Sequence, residues 1–362
     1  MNGVIKRWRE QVREAASEGK ALRLRGGGTK DFYGRTPAGE LVDTREHGGV
    51  IAYEPTELVV TARGGTPLVE LESLLAGEGQ QLAFEPPHFG DGATIGGCVA
   101  AGLSGPRRQS AGGLRDFVLG VKILDGRGDV LNFGGQVMKN VAGYDVSRLM
   151  AGSLGTLGVI LEVSLKVLPQ PAREVTVRFA CGEAEAIDRL NRWGGQPLPV
   201  SASIWHEGVL TLRLSGAERG VESAVAKLGG EVVPSEDARA YWIAVREQTD
   251  AFFASTNESG SVASMPLWRL AVPTDAPGLA LRGDQLIECG GGLRWLRSAL
   301  AADEIRARAA ALGGHATLFR GGDREGEVFH PLPEPLMTIH RRLKRAFDPS
   351  GVFNPGRLYN GL

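Results

Sequence analysis

Four glycine-rich runs hold the residue types in this chain whose spacing suggests chemistry. They are RGGGT (Arg25 to Thr29), TIGG (Thr94 to Gly97), KNVAGYD (Lys139 to Asp145) and GSLGTLGVI (Gly152 to Ile160). Seventeen of the 73 residues from Pro86 to Gly158 are glycine, a density that needs a cause. Glycine suits places where φ is positive or where another group must approach the main chain, and it weakens ordinary strands and helices. Three successive glycines after a strand let consecutive amide N–H groups converge on one point, an anion-binding concavity suited to a pyrophosphate. A tight turn without a ligand is the other use of such a run. In the second cluster, Thr94, Ser104, Ser110 and Asp116 stand among turn glycines. Hydroxyls and bare amides so close together suit phosphate and ribityl oxygens, and Gly96-Gly97 removes side chains where a helix or ligand would clash. A loop of about 20 residues inside a compact domain is uncommon unless functional. Taken in order, the runs describe a long groove of bare backbone that would wrap a large dinucleotide such as FAD.

Other constellations are weaker. Lys139 could neutralise a phosphate or a substrate carboxylate, or pair with Asp145; Tyr144 could stack near a ring or serve the core. A Rossmann site needs GxGxxG opening a helix and an acidic residue about twenty positions on. Thr29 to Gly34 does not supply that start. Three cysteines (Cys98, Cys181, Cys289) without CxxC spacing cannot by themselves hold an iron–sulfur cluster, and they suit a reducing compartment. Six scattered histidines form no HExxH pair, so no metal is expected.

These motifs must be positioned by a chain of 362 residues, enough for two domains or for one domain with a large insertion. At 42% hydrophobic and 23% charged, with a net charge of −1, the composition is globular. No basic run marks a nucleic-acid partner, and no stretch is long enough to span a bilayer. Ile5, Trp8, Val12 and Ala16 recur at helical spacing, and no continuous apolar core follows the early charges, so this segment reads as an amphipathic helix and not a signal peptide. A short strand (21–25) delivers the chain to RGGGT. Strand 58–63, a helix from Pro67 to about Gly77 capped by Thr66, and strand 82–84 follow. Residues 117–124 and 130–133 read as a hairpin across Asp125-Gly126-Arg127-Gly128. A buried strand, 159–167, stops at Pro169. From there to about 320 strands (175–179, 209–214, 268–272) alternate with helices (183–193, 219–228, 302–312), the pattern of a sheet covered by helices. A basic helix, 336–347, precedes FDPSGVFNPGRLY.

In this order the motifs resemble the FAD-binding domain of the vanillyl-alcohol oxidase / p-cresol methylhydroxylase flavoprotein superfamily. Within it they are most similar to the FAD-linked D-lactate and glycolate dehydrogenase branch, over roughly residues 20 to 170, with FDPSGVFNPGRL as a further signature. The resemblance implies an α+β protein: a two-lobed FAD domain (1–170), an α+β cap (171–330) and a C-terminal arm (331–362) returning to the FAD domain, with the flavin between FAD domain and cap. It also implies that Gly26, Gly27, Gly28 and Thr29 hold the pyrophosphate. Pro86, Thr94, Gly96, Gly97, Ser104, Gly112 and Asp116 would line the rest of the dinucleotide. Gly158 and Ile160 would contact it by backbone, and Asn354 would lie near the flavin.

Two departures refine the expectation. Thr29 stands where members with covalent flavin often carry histidine, so the FAD should be non-covalent. Catalytic members of the branch usually carry HxGDGNxH and a later EHG; here the corresponding stretch reads GHATLFRGGDREGEVFHPLP, and the one Glu-His-Gly (Glu46 to Gly48) lies in the wrong domain. Holding and deprotonating a 2-hydroxy acid is the work of that metal set, so no catalytic residue is named. His206, His315, Arg269 and Arg320 are cap candidates only. RGGGTKDFYG and the short length are most similar to the small FAD-binding subunits of bacterial glycolate oxidase complexes. That implies a larger homologous catalytic flavoprotein and an iron–sulfur subunit as partners, with glycolate, and D-lactate secondarily, as the small 2-hydroxy acid substrate. With no targeting segment read in the sequence, a cytoplasmic location is expected, with peripheral contact to the inner membrane face through the complex. A self-sufficient FAD dehydrogenase and a non-catalytic scaffold are the rival readings.

Overall fold

Ile5, Trp8 and Val12 do form one buried stripe, on helix α1 (Gly3–Glu18), with Ala15 rather than Ala16 completing it. They close a core built from Leu22, Val42, Leu124, Val159, Leu161, Val352 and Phe353. The structure is a computed structural model describing residues 3–135, 145–254 and 265–362. The chain divides into two units: 1–103, 113–169 and 324–362 form the first, and 104–112 with 170–323 the second.

In the first unit β1 (Leu22–Arg25) pairs in parallel with β2 (Glu40–Asp43), and Leu22 is bridged to Phe353 of the C-terminal segment. The chain continues through β3 (Val50–Glu54), β4 (Val59–Arg63), α2 (Leu68–Gly77), β5 (Gln80–Gln81), α3 (Ile95–Ala101), α4 (Arg108–Ala111, in the second unit) and α5 (Leu114–Phe117). Then come β6 (Val118–Leu124), β7 (Val130–Gly134), β8 (Val159–Lys166) and β9 (Leu168–Pro169). Five strands make an antiparallel sheet in the order β3-β4-β8-β6-β7. The second unit runs β10 (Arg173–Ala180), α6 (Glu183–Gly194), β11 (Val200–His206), β12 (Val209–Gly216), α7 (Glu218–Leu228), β13 (Glu231–Val233), α8 (Ser235–Glu247) and α9 (Ala251–Ala254). It finishes with β14 (Leu267–Ala271), β15 (Asp284–Glu288), β16 (Leu293–Arg297), α10 (Ala302–Ala311) and β17 (His315–Arg320). Eight of these strands form one sheet, β13-β10-β12-β11-β15-β16-β14-β17. Leu210, Leu212 and Leu214 of β12 pack one face against Ala186 and Leu190 of α6 and Val221 and Ala224 of α7. The α+β class read from the sequence is the class observed.

The last helix, α11 (Glu334–Phe347), fastens the C-terminal segment to the first unit through a buried lysine. Lys344 Nζ donates to Thr156 O (2.8 Å), Phe353 O (2.8 Å) and Asp348 Oδ2 (2.7 Å). Asp348 in turn accepts from the amides of Val352 (3.0 Å) and Phe353 (2.8 Å). Burial pushes the Lys344 ammonium below the usual lysine range while Asp348 opposes that shift. The network is satisfied on every side, as a buried charge requires, and it sets the position of residues 352–354.

Some local readings need correction. Thr66 does not cap α2; Pro67 is the N-cap. The Thr66 hydroxyl donates to Arg63 O at 2.7 Å and accepts from the Gly49 amide at 2.9 Å, so it ties two loops together. Residues 82–84 form a buried turn, closed by Glu85 N–H to Leu82 O at 2.9 Å, and not a strand. Strands β2, β3, β5, β9, β11, β13, β15, β16 and β17 and helices α3, α4, α5, α8 and α9 went unread. Lys139 to Tyr144 of the third motif lie outside the described residues.

One buried histidine gives a pH prediction. His47 is 3% exposed, lies edge-on to Trp8, and neither ring nitrogen has a hydrogen-bond partner among the described residues. Burial first, then Arg63 and Lys122 against an opposing Glu162, push its pKa below the ordinary 6.5. The unfolded chain therefore takes up this proton at a higher pH than the folded one. The stability held by neutral His47 is complete above about 6.5 and is lost as pH falls from there toward the depressed folded value. Melting curves at pH 7.5 and 5 should show a smaller drop in Tm for His47→Phe than for wild type. An identical drop would mean that this ring does not titrate on unfolding.

Candidate functional site

The first unit contains a cavity with about 760 Å³ of empty space, open mouth included, and it gathers most of the glycine motifs. The turn after β1 supplies Gly26, Gly27, Gly28 and Thr29; Thr94, Gly96 and Gly97 come from the start of α3; Gly158 and Ile160 come from the edge of β8. Asn354 reaches it from the C-terminal segment. Ten of the fourteen candidate residues thus line one cavity, although the sequence separates them by as many as 328 positions (26 to 354).

Why the glycine turn stays open is visible in its hydrogen bonds. Among the described residues, no turn or loop carbonyl accepts from the amides of Gly26, Gly27, Gly28 or Thr29. Exposed main-chain N–H groups of this kind are acceptor-seeking. Gly28 holds φ at +73°, a conformation that costs a side-chain-bearing residue about 1–2 kcal/mol. By contrast, the Gly97 amide is already taken by Thr94 Oγ1 at 3.2 Å, the N-cap bond of α3. Thr94 therefore shapes the wall, and the free donors belong to the first turn.

The charges around that turn are positive in sum. Arg25, Lys30 and Arg357 line the cavity with Asp31 as the one carboxylate in its lining. Asp31 Oδ2 is bound by Arg25 Nε at 2.7 Å and Arg23 Nη2 at 2.8 Å, while Arg357 Nη2 donates to the Asp31 carbonyl at 2.9 Å. Burial pushes Arg357 down to about 10, and Asp31 works against that shift, so the guanidinium remains charged at neutral pH. Lys30 Nζ donates to His88 O at 3.1 Å and stands 5.6 Å from the centre of the Phe89 ring. Free amides and three cations around one concavity fit a dianionic pyrophosphate, and Leu24, Ala100 and Leu154 give apolar wall for planar rings.

Four candidates lie elsewhere. Pro86 is buried beyond α2, and Ser104 and Gly112 belong to the second unit. The Asp116 carboxylate accepts from Gly113 N–H at 2.9 Å and caps α5. Short α4 breaks up what looked like a continuous lining loop. Of the cap candidates, His206 packs on Phe252 (ring centres 5.2 Å apart), Arg320 donates to Gln248 Oε1 at 3.0 Å, Arg269 lies 6.0 Å from the Trp295 ring, and His315 is exposed. His206, Glu207 and Asp284 bring potential ligand atoms within 4.8 Å of one another, two of them on exposed carboxylates. The cavity residues missed by sequence reading are Arg25, Lys30 and Arg357. Their signal was available, as cations flanking the triple glycine and following the NPG turn.

Residues 6–134 match the FAD binding domain family, which covers the β1 turn and α3 walls of this cavity. Over 355 residues the chain is 48% identical to glycolate oxidase subunit GlcE of Escherichia coli, spanning 98% of this chain and 97% of that protein. The chain belongs to the GlcE family of glycolate oxidase subunits. It is also 34% identical to glycolate oxidase subunit GlcD of Bacillus subtilis and to D-lactate dehydrogenase of Archaeoglobus fulgidus. Each of those matches covers 42% of this chain, with 33% and 34% of the respective relatives. Among solved structures, alkyldihydroxyacetonephosphate synthase shares the fold at a TM-score of 0.63 and 14% identity, over 96% of this chain and 73% of that one. FAD is the cofactor of the family, and the donor set above fits it. No helix among the described residues is long and apolar enough to cross a membrane.

Proposed function

We propose that this chain is the FAD-holding subunit of a complex that oxidises glycolate to glyoxylate, with D-lactate as a secondary substrate, and that it depends on a larger GlcD-type flavoprotein for substrate chemistry. The observation that carries this is the cavity whose turn amides are unspent and whose rim holds Arg25, Lys30 and Arg357. Bound FAD supplies a two-electron acceptor. The chain's own residues do the rest. The Gly26–Thr29 amides and the three cations hold the diphosphate; Thr94, Gly96, Gly97, Gly158 and Ile160 shape the wall; Asn354 fixes the cavity's width. Pro86 and Asp116 act behind this lining, and Ser104 and Gly112 belong to the second unit. Residues 1–170, 171–330 and 331–362 act as FAD domain, cap and arm, with 104–112 joined to the cap.

No residue is assigned as a base, because the His-rich metal motif is missing from GHATLFRGGDREGEVFHPLP. An iron–sulfur subunit takes the electrons onward. The complex is cytoplasmic, with peripheral contact at the inner membrane face. An anaerobic titration of the purified chain with glycolate tests the reading. A yellow protein that glycolate leaves unchanged, and that is reduced once the GlcD-type subunit is added, is expected. Bleaching by glycolate alone would establish a self-sufficient dehydrogenase, and a colourless chain that still assembles would establish a scaffold. Thr29 at the turn makes the flavin non-covalent. Acid precipitation should leave all flavin in the supernatant, and flavin in the pellet would refute that.

A further inference from the structure

Strand β2 presents an unpaired edge. Its Glu40 amide donates to Ala21 O at 2.8 Å on the β1 side, so strand alternation turns the amides and carbonyls of Leu41 and Asp43 the other way. Among the described residues no strand pairs with that edge, and no turn or loop bond uses the Leu41 groups or the Asp43 amide, while the Asp43 carbonyl caps the 3-10 turn Thr44–Glu46. An open edge of this kind is a template for a further strand unless it is blocked. Here the side beyond it is a groove with about 860 Å³ of empty space, open mouth included, walled by the polar flank of α1 and by β2 itself.

The groove has a marked charge. Glu10, Glu14, Glu40, Asp43 and Glu46 line it against Arg7 alone. No ion pair claims Glu10 or Glu14 among the described residues. Two exposed bridges cross from the helix, Arg7 to Glu46 and Gln11 Nε2 to Glu40 Oε1 (3.0 Å). Exposed contacts of this kind are weak and easily exchanged. Leu41, also in the groove lining, is 50% exposed, so an added strand would meet carboxylates together with an exposed apolar side chain.

We propose that this groove takes up an extended segment of a partner subunit that pairs with β2 and alternates basic with apolar side chains. Main-chain bonds to the Leu41 amide and carbonyl and to the Asp43 amide provide the docking, and the basic positions meet Glu10 and Glu14. The inference rests on the reading of this chain as one subunit of a complex, and it names where and how a partner binds. It leaves the FAD cavity untouched.

Two variants test it: Leu41→Pro, which deletes the outward N–H while sparing the β1 ladder, and Glu10→Lys with Glu14→Lys. Both sites are exposed, and unchanged flavin content serves as the folding control. Association with the purified GlcD-type and iron–sulfur subunits would be measured by biolayer interferometry, with hydrogen exchange of the Leu41 and Asp43 amides in the wild-type complex. Each variant should bind at least tenfold more weakly, and both amides should become protected on assembly. Variants that bind as wild type does, with both amides exchanging freely, would overturn the docking site and leave the subunit reading standing. A wild-type chain that binds neither subunit would overturn both.

Discussion

Replacing Gly27 by alanine is expected to empty the chain of flavin. A Cβ built on Gly27 would stand 1.5 Å from Gly92 O and 2.3 Å from its carbonyl carbon. No rotamer relieves this, because both partners are main chain. The neighbouring Gly26 is also confined, its Cβ direction meeting the Thr94 side chain at Oγ1, 2.3 Å away. The turn must therefore move off the 90–94 segment, and its unpartnered amides are displaced from the cavity wall. A hydrogen bond to a charged group contributes about 1.5–3 kcal/mol. Losing two to a diphosphate would weaken FAD binding by roughly 10²–10⁴-fold at about 1.4 kcal/mol per decade. The check is a titration of apoprotein with FAD, alongside the flavin-to-protein ratio as purified. Gly77→Ala, where nothing lies within 4 Å of the added carbon, should behave as wild type. Stoichiometric flavin with undiminished affinity in Gly27→Ala would remove the turn from the site.

The second large effect is expected at Asn354, which ties the two walls of the cavity together. Its Oδ1 accepts from Leu24 N–H at 2.8 Å, its Nδ2 donates to Leu154 O at 2.6 Å, and its own amide donates to Leu22 O at 2.9 Å. It is 5% exposed and holds φ at +41°, a region asparagine tolerates better than other side chains. Alanine here would strand one donor and one acceptor, each costing about 1–3 kcal/mol, and would add a left-handed strain of about 1 kcal/mol. A loss on the order of 4 kcal/mol and a fall in Tm of about 10 °C are expected, with FAD affinity weakened about tenfold or more. Asn354→Gly separates the causes, since it keeps the backbone at ease and loses both side-chain bonds. If the bonds dominate, the glycine variant will be nearly as damaged as alanine; if it binds FAD and melts like wild type, the clamp has no role. Asn354→Asp should also fail, because an oxygen would then face Leu154 O.

How much of this was legible in the sequence follows from the range of the forces involved. Spacing within one helix places Ile5, Trp8 and Val12 on one stripe, and the Asp125–Gly128 turn fixes the hairpin of β6 and β7. Both are local, governed by period and turn chemistry. The glycine runs also pointed to a backbone-lined cavity, because glycine at that density has few other uses, and most of them line one cavity. Strands β11, β15, β16 and β17 were not legible. Arg294 and Arg297 in β16 and Ser201 and Ser203 in β11 are buried polar residues, and they blur the alternation by which a strand is recognised. Their burial is made tolerable by distant partners, such as Ala276 O for Arg294 and Phe252 O for Arg297. The Thr66 cap failed for the same reason: its hydroxyl had better partners 3 and 17 residues away.

The sequence by itself determined the α+β class, through strand and helix periodicity, and FAD as the cofactor, through the order of its glycine motifs. It also pointed to the turn at 26–29 that we propose holds the pyrophosphate. Only the tertiary structure decided which candidate residues share one cavity. Asp116 was drawn into capping α5 and Ser104 into the second unit. Lys344, buried among Thr156 O, Phe353 O and Asp348, fixes the segment from which Asn354 and Arg357 reach the β1 turn. That closure joins residues more than 300 positions apart, and the burial and hydrogen-bond satisfaction that select it exist only once the chain has folded.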